Sequence, residues 1–341
     1  MSIKKEEYLS ITYFITRAIF LGVGYSKIFD VAGNDAWISM IIGFILSIFF
    51  IFLYHKISEE INFNLDNFFS KKNKFSRVYQ IIFLLTYIFL ICYISLTFTN
   101  FVRLYYLYNT SIFITLLILF MVCVYGALKT EKTIIRASSI LFIASIILII
   151  INLIFLSPLV KIENFLPIYT HSSLSILKGS LIFVVCSILP HILLLEYKIN
   201  LKTKLLTYSF SAFTILITNL FTASILGEYL LSTYSYPEYM VLRRITFFNF
   251  IENIENIASS VLYFDAIFLI TLTFNKSKKL LKCPYKLIAL AIFLLLFISY
   301  VFTNHYNLYA DFIQIGLYIA FALLILTTII LYPILRINKK S

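Results

Sequence analysis

The sequence predicts an all-α integral membrane protein of about ten transmembrane helices, arranged as two five-helix halves in one domain. Three observations carry this. Hydrophobic residues make up 61% of the 341 residues and charged residues only 13%, with a mean hydropathy of +0.94, which excludes the water-soluble classes. Ten apolar segments of membrane-crossing length follow one another with short polar connections. Two of them, the first and the sixth, carry helix-breaking residues in their interiors.

The segments cover residues 8–28, 36–54, 78–102, 110–128, 134–156, 174–195, 204–226, 250–274, 285–302 and 309–335. The charged residues Lys4 to Glu7 precede a span too long for a signal-peptide core, with no small-residue cleavage site after it, so no processing is expected. The net charge of +12 reflects basic residues gathered in alternate loops, which argues against a nucleic-acid partner. Of the 28 Lys and Arg, 21 fall on the side shared by both termini. Five, Lys27, Arg103, Lys161, Arg243 and Arg244, fall on the other, and the positive-inside rule places both termini in the cytoplasm. Cys92, Cys123, Cys186 and Cys283 are too scattered for a disulfide framework or a metal cluster, and no cofactor is implied.

In the first segment, Gly22 and Gly24 each weaken the helix by about 1 kcal/mol and together allow it to unwind. The polar stretch Asp30 to Asp35 then turns the chain, and Trp37, the only tryptophan, stands as an interfacial anchor. The loop from His55 to Arg77, with Lys71, Lys72 and Lys74, is suited to lie on anionic headgroups. On the outside, residues 157–173 and 227–249 are long enough to cover a cavity. In the sixth segment Pro190 removes a backbone hydrogen bond and predicts a break near Ser187 to Pro190. An odd number of helices per half requires the halves, about 8–156 and 174–335, to be inverted. Paired interruptions at corresponding positions point to a midplane binding site.

The expected ligand site therefore joins Gly22, Val23 and Gly24 to Cys186, Ser187, Ile188 and Leu189, flanked by Tyr93 and Thr97 of the third segment. Freed backbone groups at half-helix ends suit a zwitterion or carboxylate, and bulk at Gly22 or Gly24 should block such a cavity. Gate or ion candidates are His191, Glu252, Glu255, Ser259 and Ser260, with helix packing, capping and macrodipole pairing as the plainer roles for the same residues. His55, His171 and His305 are too far apart in sequence to suggest a metal site. Arg17 and Lys178 lie inside spans; Lys178 is near an end and snorkels, whereas Arg17 needs a partner, for which Asp265 is available. No nucleotide-binding or hydrolytic motif is present, and no enzyme activity is expected.

Gly22-Val23-Gly24, Ala32-Gly33-Asn34-Asp35-Ala36-Trp37-Ile38-Ser39, Leu166-Pro167 and Phe250-Ile251-Glu252-Asn253-Ile254-Glu255 together resemble the spore germination permeases of the GerAB type, within the amino acid, polyamine and organocation transporter superfamily. The resemblance runs from the first segment to the tenth. It implies a leucine-transporter-like inverted repeat in the spore inner membrane, or a bacterial cell membrane, that senses a small nutrient such as an amino acid. It also implies an A-type membrane subunit and a C-type lipoprotein as partners. The sequence departs from the family pattern at Ile28-Phe29, where a proline is usual, at Leu189 and His191, where glycine and glutamate are usual, and at Asn253, where arginine is usual. The rival function is a secondary amino acid transporter coupled to a proton or sodium ion; a scaffold that binds no ligand is a third. The topology is checked by cysteine labelling: a cysteine at position 72 or 278 should stay unlabelled from outside intact cells, and labelling there would refute the map.

Overall fold

The computed structural model describes residues 3–65, 74–245, 254–304 and 308–340. The described residues contain helices and connecting turns but no strand, and the described part of each of the ten expected segments falls mainly on helix, residues 250–253 of the eighth lying outside it. Among the described residues, eight stretches are long and apolar enough to cross a membrane.

The first of these, Lys5–Glu60, contains α1 (Lys5–Arg17), a π-type turn (Phe20–Gly24), α2 (Tyr25–Ala32), a 3-10 turn (Gly33–Asp35) and α3 (Ala36–Glu60). Next come α4 (Lys74–Tyr105), the shorter α5 (Ile112–Leu128) and α6 (Glu131–Leu156). The sixth segment is α7 (Ser173–Ile188) followed by a 3-10 turn (Leu189–Leu194) with Pro190 in its first turn, so the expected break occurs where the ring denies the helix a donor. Then follow α8 (Leu201–Thr233), the short α9 (Pro237–Leu242), α10 (Ile254–Ala258), α11 (Ser260–Leu281), α12 (Pro284–Asn304), α13 (Leu308–Ile325), a π-type turn (Leu326–Ile330) and α14 (Leu331–Lys340). Ser111, Thr130, Ser172 and Asn200 cap α5 to α8, each side chain accepting a backbone N–H of the first turn.

Packing divides the helices into two groups. α1, α2 and α3 pack on α7 and α8, while α11 packs on α4, α5 and α6, and α5 on α12; α1 joins the groups by touching both α6 and α11. Outward faces carry large apolar side chains, such as Ile45, Met121 and Ile140, as expected of surface solvated by acyl chains.

Three expected loops are shorter than the hydropathy pattern suggests. α3 continues through His55 to Glu60 because Tyr54, His55, Ile57 and Ser58 remain buried. At the other end of the bundle from Glu60, α8 continues past Gly227, whose φ of +72° interrupts it, to Thr233. The largest correction concerns Lys276, expected in a basic loop: α11 runs on to Leu281, and Lys276 is only 2% exposed. Its ammonium donates to Glu131 Oε1 at 2.7 Å and to Glu196; Lys279 also reaches both acids, and the Tyr197 hydroxyl donates to Glu131. Lysines in a last turn suit the negative end of the helix dipole, and here they also neutralise two carboxylates that would otherwise be buried alone. Burial pushes the Glu196 carboxyl up, but the two ammonium groups outweigh it and hold it below the ordinary carboxylate range. Removing one partner of such a cluster costs about 3–5 kcal/mol. Lys276→Met is therefore expected to lower the Tm of the purified protein markedly, and adding Glu196→Gln to restore part of the loss; a single variant that melts like wild type would remove the cluster from the stability of the fold.

Candidate functional site at the break in the first helix

Leu21 leaves the helical region with ψ of 112°, and Gly22 follows with φ of +65°, a conformation that favours glycine. The turn frees backbone groups that a continuous helix would pair, and both ends of the gap are satisfied from elsewhere. The Gly22 N–H donates to Glu238 Oε1 at 3.0 Å, and the Ser26 hydroxyl donates to the Gly22 carbonyl at 3.2 Å. A side chain at Gly22 has no room, since an added Cβ would stand 2.1 Å from Cε1 of Tyr236.

Tyr236 and Glu238 come from the connection between α8 and α11, and both are buried. The Tyr236 hydroxyl donates to the Thr97 carbonyl at 2.9 Å and accepts from Asn100 Nδ2 at 3.1 Å, while its ring lies beside those of Phe101 and Tyr105. α9 is thus a lid seated in the helix break and anchored on α4. A second connection is fastened nearby. Asp35, fully buried, accepts the backbone N–H of Tyr169 at 2.7 Å and of His171 at 3.0 Å, which ties residues 169–171 to the turn between α2 and α3.

The sequence-predicted site residues fall into separate groups. Gly22, Val23 and Gly24 are buried in the break, and Thr97 joins them through Tyr236 by its carbonyl, its hydroxyl being spent on Ile94 of its own helix. Tyr93 turns toward α13, donating to the Ile313 carbonyl at 3.0 Å with its ring against Gly316. Cys186, Ile188 and Leu189 are fully buried, and Ser187 faces Ser47 and Tyr208, with oxygens 3.4 and 3.1 Å apart, on the α3 and α8 side. Contact between α7 and the break is made by Phe183 on Phe20, with ring centroids 5.4 Å apart. His191 bridges to the first helix one turn below the break, with Nε2 3.1 Å from the Thr16 hydroxyl. Ser259 pairs with the Tyr106 hydroxyl, Ser260 donates to Ile257 of its own turn, and Glu255 lies on α10. Glu252 and His305 lie outside the described residues.

Sequence reasoning found the Arg17–Asp265 pair and named the 227–249 connection as a possible cover, but missed the contacts that Tyr236 and Glu238 make with the break. Arg17 Nε donates to Asp265 Oδ2 at 3.2 Å and Nη1 to the Thr214 hydroxyl at 3.1 Å, and the guanidinium lies 4.9 Å from the centre of the Tyr13 ring. Arg17 and Glu238 line a common cavity of about 60 Å³ with Asn152, Thr218 and Thr222. Burial pushes the Glu238 carboxyl up to about 7, with the Gly22 N–H acting weakly against it. Pro237 and Glu238 stand in a stretch with no periodic pattern. The one available signal was a glutamate in a connection long enough to fold back.

No curated protein matches the chain. A family model described as spore germination protein, Spore_permease, matches residues 9–283, from the first turns of α1 to the loop after α11, and so takes in both broken segments and the lid. This multi-pass membrane protein belongs to the spore germination permease family, a family of transporter-like proteins and not of enzymes.

Proposed function

We propose that this permease is the nutrient-sensing subunit of a spore germination receptor, with a leucine-transporter-like fold that binds a small amino acid beside the break in its first helix. The observation that carries the reading is the lid: Tyr236, fully buried, closes on the unwound turn at Gly22 from the outer side, as a gate over a solute site does. The packing supports an inverted repeat. Exchanging each apolar segment with the one five places on converts the α1–α8 contact into the α3–α7 contact. The same exchange leaves the pairs α2–α7, α3–α8, α4–α11 and α5–α12 unchanged as pairs.

In this reading the ligand takes the space that Tyr236 fills between Gly22, Val23, Gly24 and Thr97, with the residues of the sixth segment forming the opposite wall when the lid lifts. Backbone dipoles at the break favour a zwitterion over a strongly charged solute. Both termini face the cytoplasm, and an A-type membrane subunit and a C-type lipoprotein act beside the chain. The spore inner membrane is its location.

A ligand that binds only the folded protein raises its Tm, by about 2.7 kcal/mol of stabilisation at a hundredfold excess over Kd. A screen of amino acids, sugars and nucleosides against the detergent-solubilised protein should find the shift with a small amino acid; a shift with a sugar or nucleoside alone would contradict the pocket reading. Gly22→Ala places a Cβ on the Tyr236 ring and forces a side chain into a left-handed conformation costing about 1–2 kcal/mol. It should lower the Tm and abolish the ligand-induced shift, and wild-type behaviour would remove the break from the site. Steady accumulation of the same amino acid in proteoliposomes would instead favour the transporter reading.

A further inference from the structure

The cavity between α1, α6, α8, α9 and α11 holds an unbalanced set of charges. Arg17 contributes one positive charge, and its partner Asp265 answers it. Glu238 adds a second carboxylate, 96% buried by its 4% exposure, with Oε1 on the Gly22 N–H and Oε2 without a hydrogen-bond partner among the described residues. α6 and α8 bring only the neutral groups Asn152, Thr218 and Thr222 to the cavity, beside apolar Ile149, Leu153 and Phe221. Among the described residues, Tyr25 on α2 and Tyr105 on α4 are phenols in electrostatic reach of Glu238, α10 packed on α9 brings the acid Glu255 and no cation, and Arg243 follows α9 itself and is exposed. A buried carboxylate with a bare oxygen and no counter-charge of its own has to be neutralised. A volume of about 60 Å³ holds about two waters at ~30 Å³ each, enough to carry a proton to or from that oxygen.

We propose that Glu238 is a proton-binding site: one proton on Oε2 balances the cavity and holds α9 in the break of the first helix, and its release to cavity water frees the lid. The neutral acid keeps Oε1 as acceptor for Gly22 and gains an O–H donor for the cavity oxygens or water. The ionised acid leaves two carboxylates facing one guanidinium. An alkali cation would serve the same balance less well, because Arg17 lines the same space and repels it. The site is independent of which solute the protein senses.

The direction of the pH effect follows from the raised affinity. Stability linked to this proton is complete below the unfolded carboxyl value and is lost as the pH rises through about 7. Full-length wild type and E238Q are melted in detergent at about pH 5.5 and about pH 8.5, each in sodium, potassium and choline chloride. The two proteins should have similar Tm at the lower pH, and wild type should fall below E238Q at the higher pH, alike in all three salts. Equal pH responses would overturn the proposal. So would stabilisation of wild type at the higher pH by sodium or potassium over choline, which would make the bare oxygen an alkali-ion ligand. A cysteine at Met240 on α9 reports the lid without E238Q. Its labelling by an impermeant maleimide, normalised to the unfolded chain, should accelerate by up to about tenfold per pH unit above 7, and a flat rate would refute the coupling. Neither measurement uses a nutrient, so their failure leaves the sensing proposal standing, and the reverse holds too.

Discussion

An amide N–H that leaves a helix inside a membrane has no water to bond with and must find an acceptor in the protein. At Gly22 that acceptor is the Oε1 atom of the Glu238 carboxyl group, more than two hundred residues on. This single requirement orders the half of the molecule around the break. It brings the connection after α8 onto the first helix, places the Tyr236 ring where a Cβ at Gly22 would stand, and through Tyr236 ties α4 to the same point. A continuous first helix would satisfy its own amides and leave the lid nothing to hold.

Below the break, the buried pair of Arg17 and Asp265 performs a different task. Two charges in so dry a place gain little net stability over an apolar pair, but separating them would leave either one uncompensated at a cost of about 3–5 kcal/mol. The pair therefore fixes the register of α1 against α11, with Thr214 and the Tyr13 ring completing the guanidinium's surroundings. The cluster of Lys276, Lys279, Glu131 and Glu196 does the same at the other end of α11, so one helix is pinned by ionic contacts at two depths.

Much of this was legible in the chain. Composition and apolar run length identified the helices, Gly22-Val23-Gly24 and Pro190 marked both breaks, and a lone arginine inside an apolar span demanded the acid it has. Helix ends were misjudged wherever a polar residue was buried: Lys276 reads as loop because hydropathy scores the ammonium and not the two carboxylates waiting for it. The 227–249 connection was legible as a cover by its length, but its contacts were not, for a related reason. Tyr236 and Glu238 sit in a stretch without periodicity, and their importance lies in what they meet in space. Ser187, chosen for its place beside a break, turns to Ser47 and Tyr208, because rotation about a helix axis is set by packing that a single sequence does not reveal.

The unequal lengths of the helices have a consequence for the surrounding lipid. α5 has 17 residues and rises only about 25 Å, short of a hydrocarbon core of about 30 Å, and it presents Ile118, Met121 and Tyr125 outward. Acyl chains along that face must compress or the protein must tilt, whereas the 33-residue α8 overshoots the same slab. Such hydrophobic mismatch makes bilayer thickness a mechanical input to the fold. Because α5 packs on α11, which is ion-paired to the broken first helix, a stiffer or thicker membrane loads the same helices that hold the broken turn.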